Sequence, residues 1–348
     1  MLKELLKERN LPPFAEREEM LELIQREVYG YMPPIPDKLT WTVEKNTIPN
    51  FCAGKADCDK VTLISKIGDK EFSFPVYAVI PKGKKNIPFF IHINFRPDVP
   101  DRYMPTEEII DNGFAVLSFC YHDVTRDIAD FTNGFSGVLF PDGKREDTSP
   151  GKIAMWAWAA HRVMDYAESI EVLDKNASCV CGHSRLGKTA LLTAATDERF
   201  KFAYSNDSGC GGAAITRGKI GERVSDSVRV FPYWYCENYK KYADNEDKMP
   251  ADQHFVTALI APRFVFIGSA EEDLWADPVS EMLNAVAVSE VYEKMGKKGF
   301  IAPDRLPVPG DVFDEGTIGY HLRHGLHYFS REDWLKLMGF VNKHKGVE

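Results

Sequence analysis

The chain has 348 residues with 43 basic and 52 acidic side chains, which gives a formal net charge of −9. Apolar residues make up 44% and aromatic residues 12% of it, so a disordered, fibrous or low-complexity protein is excluded. Proteins that bind nucleic acid normally present basic side chains to the phosphates, and the acidic balance argues against that class. The longest apolar runs, 88–93 and 264–268, are too short to cross a bilayer of roughly 30 Å. We therefore expect a soluble globular protein that has neither a nucleic-acid nor a membrane partner.

The start of the chain and its cysteines bear on the compartment. The first nine residues mix acidic and basic side chains and lack the unbroken apolar segment of a secretory signal. The seven cysteines are odd in number and scattered, unlike the even, dense set of a disulfide framework. Cys179 and Cys181 share one face of a predicted strand, where packed thiols are commoner than ligands, and no second cysteine pair completes a zinc site. The sequence predicts a cytoplasmic protein without a metal site or other cofactor.

The first predicted element is an amphipathic helix over 16–29, which the prolines at 33, 34 and 36 end. Two stretches of alternating residues, 61–67 and 72–80, are joined by a turn and predict a hairpin. Further along, apolar runs predict strands at 89–93, 115–119, 177–181, 202–205 and 264–267. Helical spacing predicts helices at 153–166, 188–195 and 279–295, and a capping pattern, Ser330-Arg331-Glu332-Asp333, introduces a last helix over 334–341.

Short apolar strands that alternate with helices indicate an α/β protein with a mostly parallel central sheet and helices on both faces. The stretches 135–151 and 305–319, rich in glycine and proline, are predicted to be surface loops. We see no internal repeat and no flexible linker. The simplest organisation is a single domain over 1–348, with an N-terminal extension of helix and hairpin (1–75) and a catalytic core (76–345).

The segment 177–192 carries the strongest chemical signal, because a predicted strand leads through Gly182-His183-Ser184-Arg185-Leu186-Gly187 into a helix. A serine nucleophile needs such a turn, which lifts its hydroxyl out of the backbone beside the N–H groups of the helix start. The second glycine falls at Ser+3, whereas the G-x-S-x-G elbow has it at Ser+2. The same stretch, Gly182 to Thr189, also matches the phosphate-loop pattern G-x-x-x-x-G-K-[ST] of a Mg²⁺-dependent nucleotide-binding protein. Against that alternative, none of the candidate strands ends cleanly in the aspartate that would bind Mg²⁺.

A general base and an acid follow the serine in the chain order of a serine hydrolase, Ser, acid, His. His327 lies on a predicted loop before the last helix and is the candidate base, whereas His321 and His324 are expected to be packing residues. Asp273 follows the strand at 264–267 and Asp207 follows the strand at 202–205, so both are candidates for the acid that orients the base. Asp277 precedes Pro278 and a helix, and is expected to cap that helix.

Four ordered motifs over roughly 80–340 together resemble the glucuronoyl esterases and their bacterial relatives, which are carbohydrate esterases of the α/β-hydrolase fold. They are GHSRLGK at 182–188, NDSGCGGAA at 206–214, DQHFVTALIAPR at 252–263 and GLH at 325–327. The resemblance implies that Ser184 is the nucleophile and His327 the base, that Arg185 assists the oxyanion, and that Lys188 contacts sugar hydroxyls. The chain departs from the family in having His183 where a cysteine is common. Family members often place a glutamate where Asp207 stands, while relatives use the loop that holds Asp273.

The predicted activity is hydrolysis of a carbohydrate ester, either a uronate ester or an acetylated sugar, through a covalent acyl-enzyme. Trp234, in the aromatic segment 231–239, and Trp275, beside the acid candidates, are expected to contact the sugar. Packing against the body of the protein is an equally good interpretation of the aromatic segment. Glu222 is expected either to bind a sugar hydroxyl or to pair with Arg217 or Arg223, and Arg185 could equally form a structural salt bridge. A catalytically inactive hydrolase fold acting as a binding module is a further alternative, and the oligomeric state is left open.

Overall fold

In the computed structural model, which describes residues 1–347, the strands form one mixed sheet. The strands are β1 (Lys38–Glu44), β2 (Ala56–Ile67), β3 (Lys70–Pro81), β4 (Ile87–Asn94), β5 (Ala115–Cys120), β6 (Leu173–His183), β7 (Phe202–Asn206), β8 (Phe264–Ala270), β9 (Val312–Phe313) and β10 (Ile318–Arg323). Their spatial order is β1-β2-β3-β5-β4-β6-β7-β8-β10-β9. The central run from β5 to β10 is parallel, whereas β1–β3 and β9 pair antiparallel at the two ends.

The helices connect these strands and cover the sheet. They are α1 (Leu2–Glu8), α2 (Arg17–Ile24), α3 (Thr106–Asp111), α4 (Tyr121–Val124), α5 (Gly134–Leu139), α6 (Lys152–Glu168), α7 (Arg185–Thr196), α8 (Val224–Val230), α9 (His254–Ala258), α10 (Pro278–Lys294) and α11 (Arg331–His344). A π-helical segment, Gln25–Tyr29, continues α2. The predicted capping box is confirmed, since the Ser330 hydroxyl accepts from the Asp333 N–H at the start of α11. No helix within residues 1–347 has the length and apolar character needed to span a membrane.

Two apolar clusters lie on opposite faces of the sheet. One joins the sheet to α6, α7 and α10, and the other joins it to α3 and α11. Every residue of β4 and β5 is buried, as expected for parallel strands with both faces covered. Cys179 and Cys181 pack in the second cluster with no exposed surface, and all seven cysteines are free thiols. The prediction of a mostly parallel sheet between two helical layers is confirmed.

The boundary expected between an N-terminal extension and a core does not correspond to a structural division. Position 75 lies inside β3, which pairs with β2 on one side and with β5 of the parallel sheet on the other. The helical part of the extension is also anchored, because the Tyr29 hydroxyl lies 2.8 Å from the Gly211 carbonyl oxygen and 2.9 Å from Gln253 Oε1. The N-terminal 75 residues therefore complete the sheet and one helical layer.

The two predicted surface loops each contain regular structure. The stretch 135–151 includes most of α5, where Phe135 is fully buried and stacks on Trp158 with ring centroids 3.9 Å apart. The stretch 305–319 contains β9 and the first residues of β10. The predictions hold for most of each stretch and miss these short elements, because glycine and proline mark turns without showing which short elements lie between them.

Candidate active site

Ser184 is the one residue between β6 and α7, and its backbone has a positive φ of 57° with ψ −128°. For a residue other than glycine this conformation costs on the order of 1–3 kcal/mol and persists only where the surroundings impose it. Here the Ser184 N–H donates to the Asn206 carbonyl oxygen at 2.8 Å, which ties the turn to the end of β7. The geometry is that of a nucleophile elbow, in which the hydroxyl projects from the sheet at the N-terminus of a helix.

Two glycines make room for this turn. A Cβ at Gly182 would lie 2.3 Å from the Leu186 carbonyl oxygen. A Cβ at Gly187 would lie 3.0 Å from Ser205 Oγ and 3.1 Å from Ser208 Cβ. The second glycine is therefore needed at Ser+3, where α7 passes closest to the residues at the end of β7.

The phosphate-loop alternative does not fit this geometry. A phosphate loop requires an extended glycine-rich segment whose N–H groups surround the phosphates. In this chain β6 runs through His183 and α7 begins at Arg185, so the pattern GHSRLGKT is strand and helix rather than loop. Its lysine, Lys188, is 2% exposed and donates to Glu222 Oε2 at 3.2 Å. A carboxylate, rather than a phosphate, is the partner that the chain provides for this lysine.

The predicted base and one predicted acid lie in direct contact. His327 Nδ1 and Asp273 Oδ2 are 2.6 Å apart, and the carboxylate is 4% exposed. The imidazole is 42% exposed, and its Nδ1 contact leaves Nε2 for proton transfer. Because β6, β7, β8 and β10 are neighbours in the sheet, the turns after their carboxyl ends bring Ser184, Asp207, Asp273 and His327 to the same edge.

Backbone hydrogen bonds join the loop that carries Asp273 to the loop that carries His327. The Glu271 N–H donates to the Arg323 carbonyl oxygen at 2.9 Å, and the Glu272 N–H donates to the Gly325 carbonyl oxygen at 3.1 Å. In both contacts, the residue that donates lies just before Asp273 and the residue that accepts lies just before His327. They fix the two loops relative to each other, which preserves the short contact between carboxylate and imidazole.

Asp207, the second acid candidate, lies close to the same group but has a different partner. Its Oδ2 accepts from Arg323 Nη2 at 3.1 Å, and its Oδ1 has no hydrogen-bond partner among the described residues. Burial raises the pKa of the Asp207 carboxyl well above its ordinary value, and the neighbouring Glu281 raises it further. One side-chain nitrogen or oxygen from each of Asp207, Asp273 and His327 falls within 4.8 Å of the other two. Such a group could hold a metal ion by distance alone, but the Arg323 guanidinium already occupies the cation position beside Asp207.

His183, the residue before Ser184, packs against His327. The ring centroids of His183 and His327 are 4.4 Å apart, and His183 Nδ1 lies 2.7 Å from Asn206 Oδ1. Burial lowers the pKa of His183 well below its ordinary value, and the neighbouring His327 lowers it further. A neutral ring at this position packs against His327 without placing a second positive charge beside it.

Arg185 is held by an ion pair and by aromatic rings. Its Nη1 pairs with Asp127 Oδ2, and its guanidinium carbon lies 4.6 Å from the ring centroid of Trp234 and 5.2 Å from that of Phe231. Trp234 Nε1 donates to the other Asp127 oxygen at 2.6 Å. The predicted stacking of a sugar on Trp234 does not fit, because this side chain is 2% exposed and its ring is parallel to Phe231 at 3.9 Å. No pattern in the sequence marks Asp127, which lies 58 residues before its arginine.

Lys188 and Glu222 form a buried ion pair. Besides its contact with Glu222, Lys188 Nζ donates to the Cys210 carbonyl oxygen. The Ser227 hydroxyl donates to Glu222 Oε1 at 2.8 Å. The pairings expected for Glu222 were wrong, because Arg217 donates to backbone oxygens of Asp247 and Met249 and Arg223 pairs with Glu246 at 2.7 Å.

Trp275 lies on the rim beside the acid and is 56% exposed. Its carbonyl oxygen accepts from the Glu222 N–H at 2.9 Å, which links this rim to the buried ion pair. A cavity of about 300 Å³ borders the base on the other side. The cavity is lined by His92, Asn94, Phe95, Arg96, Asp101, Tyr103, His183, His327 and Tyr328, among others.

The remaining predicted residues divide between confirmed and wrong expectations. His321 is buried in β10 with its Nε2 2.9 Å from the Tyr204 hydroxyl, as expected of a packing residue. His324 does not pack, since its side chain is 80% exposed and pairs with Glu271 at 3.0 Å. Asp277 caps α10 as expected, with its side chain accepting from the Ser280 N–H at 3.1 Å.

The chain is similar to carbohydrate esterases in sequence. A family model described as "Glucuronyl esterase, fungi" matches residues 64–296. Carbohydrate esterase MZ0003, from an unknown prokaryotic organism, is 41% identical over 243 residues, which cover 68% of this chain and 55% of that protein. The 4-O-methyl-glucuronoyl methylesterase of Schizophyllum commune is 26% identical over 294 residues, covering 81% and 68% of the two chains. The chain thus spans about half the length of the first of these relatives.

The fold agrees with solved structures of the same kind. The structure of a glucuronoyl esterase from Solibacter usitatus superimposes with a TM-score of 0.85 at 34% sequence identity, covering 95% of this chain and 93% of that one. Glucuronoyl esterases of this group are α/β-hydrolases, so the expected fold class is confirmed. With a matching family model over two thirds of its length, the chain is a member of the glucuronoyl esterase family.

Proposed function

We propose that the protein is a serine esterase that hydrolyses a carbohydrate ester, with Ser184 as nucleophile, His327 as general base and Asp273 as the orienting acid. The observation that carries this assignment is the 2.6 Å contact between His327 Nδ1 and Asp273 Oδ2, at the sheet edge where the strained Ser184 turn stands. A carboxylate at Nδ1 fixes the tautomer whose Nε2 accepts a proton and stabilises the imidazolium that results.

The residues define each step of the reaction. The Ser184 hydroxyl attacks the ester carbonyl while His327 takes its proton, and the imidazolium then gives that proton to the departing alcohol. A water molecule repeats the sequence on the acyl-enzyme and releases the acid. The Arg185 N–H stands at the start of α7, where backbone N–H groups lack intrahelical acceptors, and together with the Arg185 guanidinium it stabilises the oxyanion.

A uronate ester is the substrate we favour, with an acetylated sugar as the second candidate. Relatives with a matching sequence include 4-O-methyl-glucuronoyl methylesterases, which supports a uronate on the acyl side. Lys188 lies four residues after Ser184 along α7, hence on the same side of the helix, and its pairing with Glu222 places a donor and an acceptor for sugar hydroxyls together. Trp275, exposed on the rim, supplies an apolar surface for a sugar face.

The first experiment measures hydrolysis of methyl glucuronate, acetylated xylo-oligosaccharide and an aryl acetate by the wild type and by Ser184→Ala. Removal of a triad serine costs on the order of 10⁶-fold in kcat, so we expect the variant to be inactive on all three. Ser169→Ala, an exposed serine just after α6, is the matched control and keeps full activity. An active Ser184→Ala enzyme contradicts the nucleophile, and faster turnover of the acetylated sugar than of the uronate contradicts the substrate class.

The acid is tested by comparing Asp273→Asn with Asp207→Asn. In the best-measured serine triad, the amide replacement of the acid lowers kcat about 10⁴-fold because it favours the wrong imidazole tautomer. We expect a loss of this size for Asp273→Asn and a loss of less than about tenfold for Asp207→Asn, whose carboxylate faces an arginine. The reverse ranking assigns the acid role to Asp207.

A further inference from the structure

The guanidinium of Arg323 is surrounded by the backbone of the loop that carries the base. Arg323 ends β10, and its side chain is 1% exposed. Its Nη1 donates to the His324 carbonyl oxygen at 2.9 Å, and its Nη2 donates to the carbonyl oxygens of Leu326, at 2.9 Å, and Tyr328. Three carbonyl groups on either side of His327 thus converge on one side chain.

Side-chain burial does little to hold this loop in place. Leu326 is 61% exposed and Tyr328 47% exposed, while the His324 side chain is 80% exposed. Gly325 has a φ of +96°, a conformation that places no restraint on a glycine. Phe329, just beyond, stacks on Trp334 with ring centroids 4.6 Å apart, but from His324 to Tyr328 little apolar area is removed from water, and this stretch gains its order from the hydrogen bonds of its own carbonyl groups.

Two buried carboxylates fix the guanidinium itself. Arg323 Nε donates to Asp333 Oδ2 at 2.8 Å, and Nη2 lies 3.1 Å from Asp207 Oδ2. Asp333 belongs to the capping box of α11, and Asp207 follows β7. The guanidinium is planar and permanently charged; its Nε–H binds Asp333, and the two N–H groups of Nη2 are shared among Asp207 and the carbonyl oxygens of Leu326 and Tyr328.

We propose that Arg323 is the positioning residue of the base: it holds His327 at Asp273 through the loop carbonyls and does not itself touch the substrate. In this arrangement Asp207 serves to orient the Arg323 guanidinium. The inference rests on the proposed function, since it concerns the geometry of that same imidazole. A displacement of about 1 Å in a reacting group can cost on the order of 10²-fold in rate, which sets the expected effect.

The test compares Arg323→Gln and Arg323→Lys with the control Arg263→Gln. Arg263 also binds backbone carbonyls, those of Phe200 at 2.8 Å and Ala194 at 2.8 Å, but away from the base. For each variant we measure kcat and KM on the ester that the wild type hydrolyses, the urea midpoint of unfolding, and the low-field proton resonance of the His327 Nδ1–H. Disappearance of that resonance in Asp273→Asn assigns it.

We expect Arg323→Gln to lower kcat about 10²-fold with KM changed less than about threefold, and to broaden or remove the resonance. Arg323→Lys, which keeps the charge and up to three donors, recovers part of the rate. Arg263→Gln loses stability but keeps kcat and the resonance. If Arg323→Gln does not fold, Arg323→Lys decides, and its expected loss in kcat is about tenfold.

The proposal is overturned if a folded Arg323 variant keeps kcat within about threefold of the wild type, or if Arg263→Gln loses kcat and the resonance to the same degree. Failure of the proposed function gives a different result, because Ser184→Ala then retains activity. An inactive Ser184→Ala together with a fully active Arg323→Gln leaves the esterase assignment in place and refutes only the positioning role.

Discussion

Glu281, on α10, is a fully buried carboxyl group beneath the turn that carries Asp207, and it makes the stability of the protein depend on pH. Its Oε1 accepts from the N–H groups of Ser208 at 2.8 Å and Gly209 at 2.9 Å, and its Oε2 accepts from the Ser269 hydroxyl at 2.6 Å. Burial nonetheless raises its pKa from 4.5 to about 7, because these hydrogen bonds only partly replace water. The folded chain therefore holds this proton more tightly than the unfolded chain.

The sign and size of the effect follow from this difference. The stabilisation from the bound proton is fully present below pH 4.5 and is lost as the pH rises through about 7. Since a tenfold change in proton affinity corresponds to about 1.4 kcal/mol, full titration lowers the free energy of unfolding by on the order of 3 kcal/mol. Glu281→Gln keeps an acceptor for the two N–H groups and carries no charge, so it removes this component.

The assay is urea unfolding of the wild type and Glu281→Gln across the titration range, from about pH 5 to about pH 8. The difference between the two proteins cancels the titrating groups that Glu281 does not influence, and it includes the change that the Glu281 charge causes in the pKa of Asp207. We expect the variant to gain stability relative to the wild type by on the order of 2 kcal/mol between the two ends of the range. A difference that stays constant with pH, or that changes in the opposite direction, refutes the reasoning.

Three further predictions test other parts of the site. Gly182→Ala is expected to lower stability by about 1–3 kcal/mol and to reduce kcat, because the new Cβ lies 2.3 Å from a carbonyl oxygen of α7. The control is Gly339→Ala in α11, where the new Cβ meets no atom within 4 Å, and this variant is expected to gain stability. Asp127→Asn is expected to lower kcat/KM about 10- to 100-fold by releasing Arg185, less than the 10²–10³-fold cost of removing an oxyanion donor, and steady-state kinetics showing no change contradict that role. Burial lowers the pKa of Lys152 to about 7, so the contribution of Lys152 to the free energy of unfolding rises with pH from about 7 towards 10.5. Lys152→Met is expected to abolish this rise, measured by urea unfolding. A rise of unchanged size in the variant contradicts the prediction.

The strands β4 to β8 of the central sheet could be predicted because each contains a short continuous apolar run, whereas the parallel strand β10, which contains a histidine and an arginine, was not predicted. The edge strand β1 was missed, since five of its seven side chains are exposed and no pattern of burial marks it. The helix α1 was missed for a related reason, because Leu2 is its one buried residue. Elements at the periphery are held by contacts with distant parts of the chain, which local pattern does not show.

The site could be predicted where a residue follows a strand directly. Ser184 and Asp273 do so within a few positions, whereas His327 was predicted from its place on the loop before the last helix, and the sheet order brings the three together. Asp127 could not be found in this way, because it lies beyond α4 and not at the end of a strand, and Arg323 could not, because the strand that it ends, β10, was not predicted. The sequence likewise could not show that Trp234 is buried and Trp275 exposed, because both lie in segments rich in aromatic or acidic residues.

Under the proposed role of Trp275 in sugar binding, its exposed indole is an intrinsic fluorescent reporter of that binding. Four of the six tryptophans are at most 2% exposed, namely Trp156, Trp158, Trp234 and Trp334. Trp41 is 38% exposed but lies on the edge strand β1, far along the sheet from the catalytic turns. In a Trp41→Phe variant, acrylamide would therefore quench chiefly the fluorescence of Trp275. A sugar bound against Trp275 would shield its indole from the quencher. Binding of the sugar could then be followed by the emission intensity in the presence of acrylamide, without measuring hydrolysis.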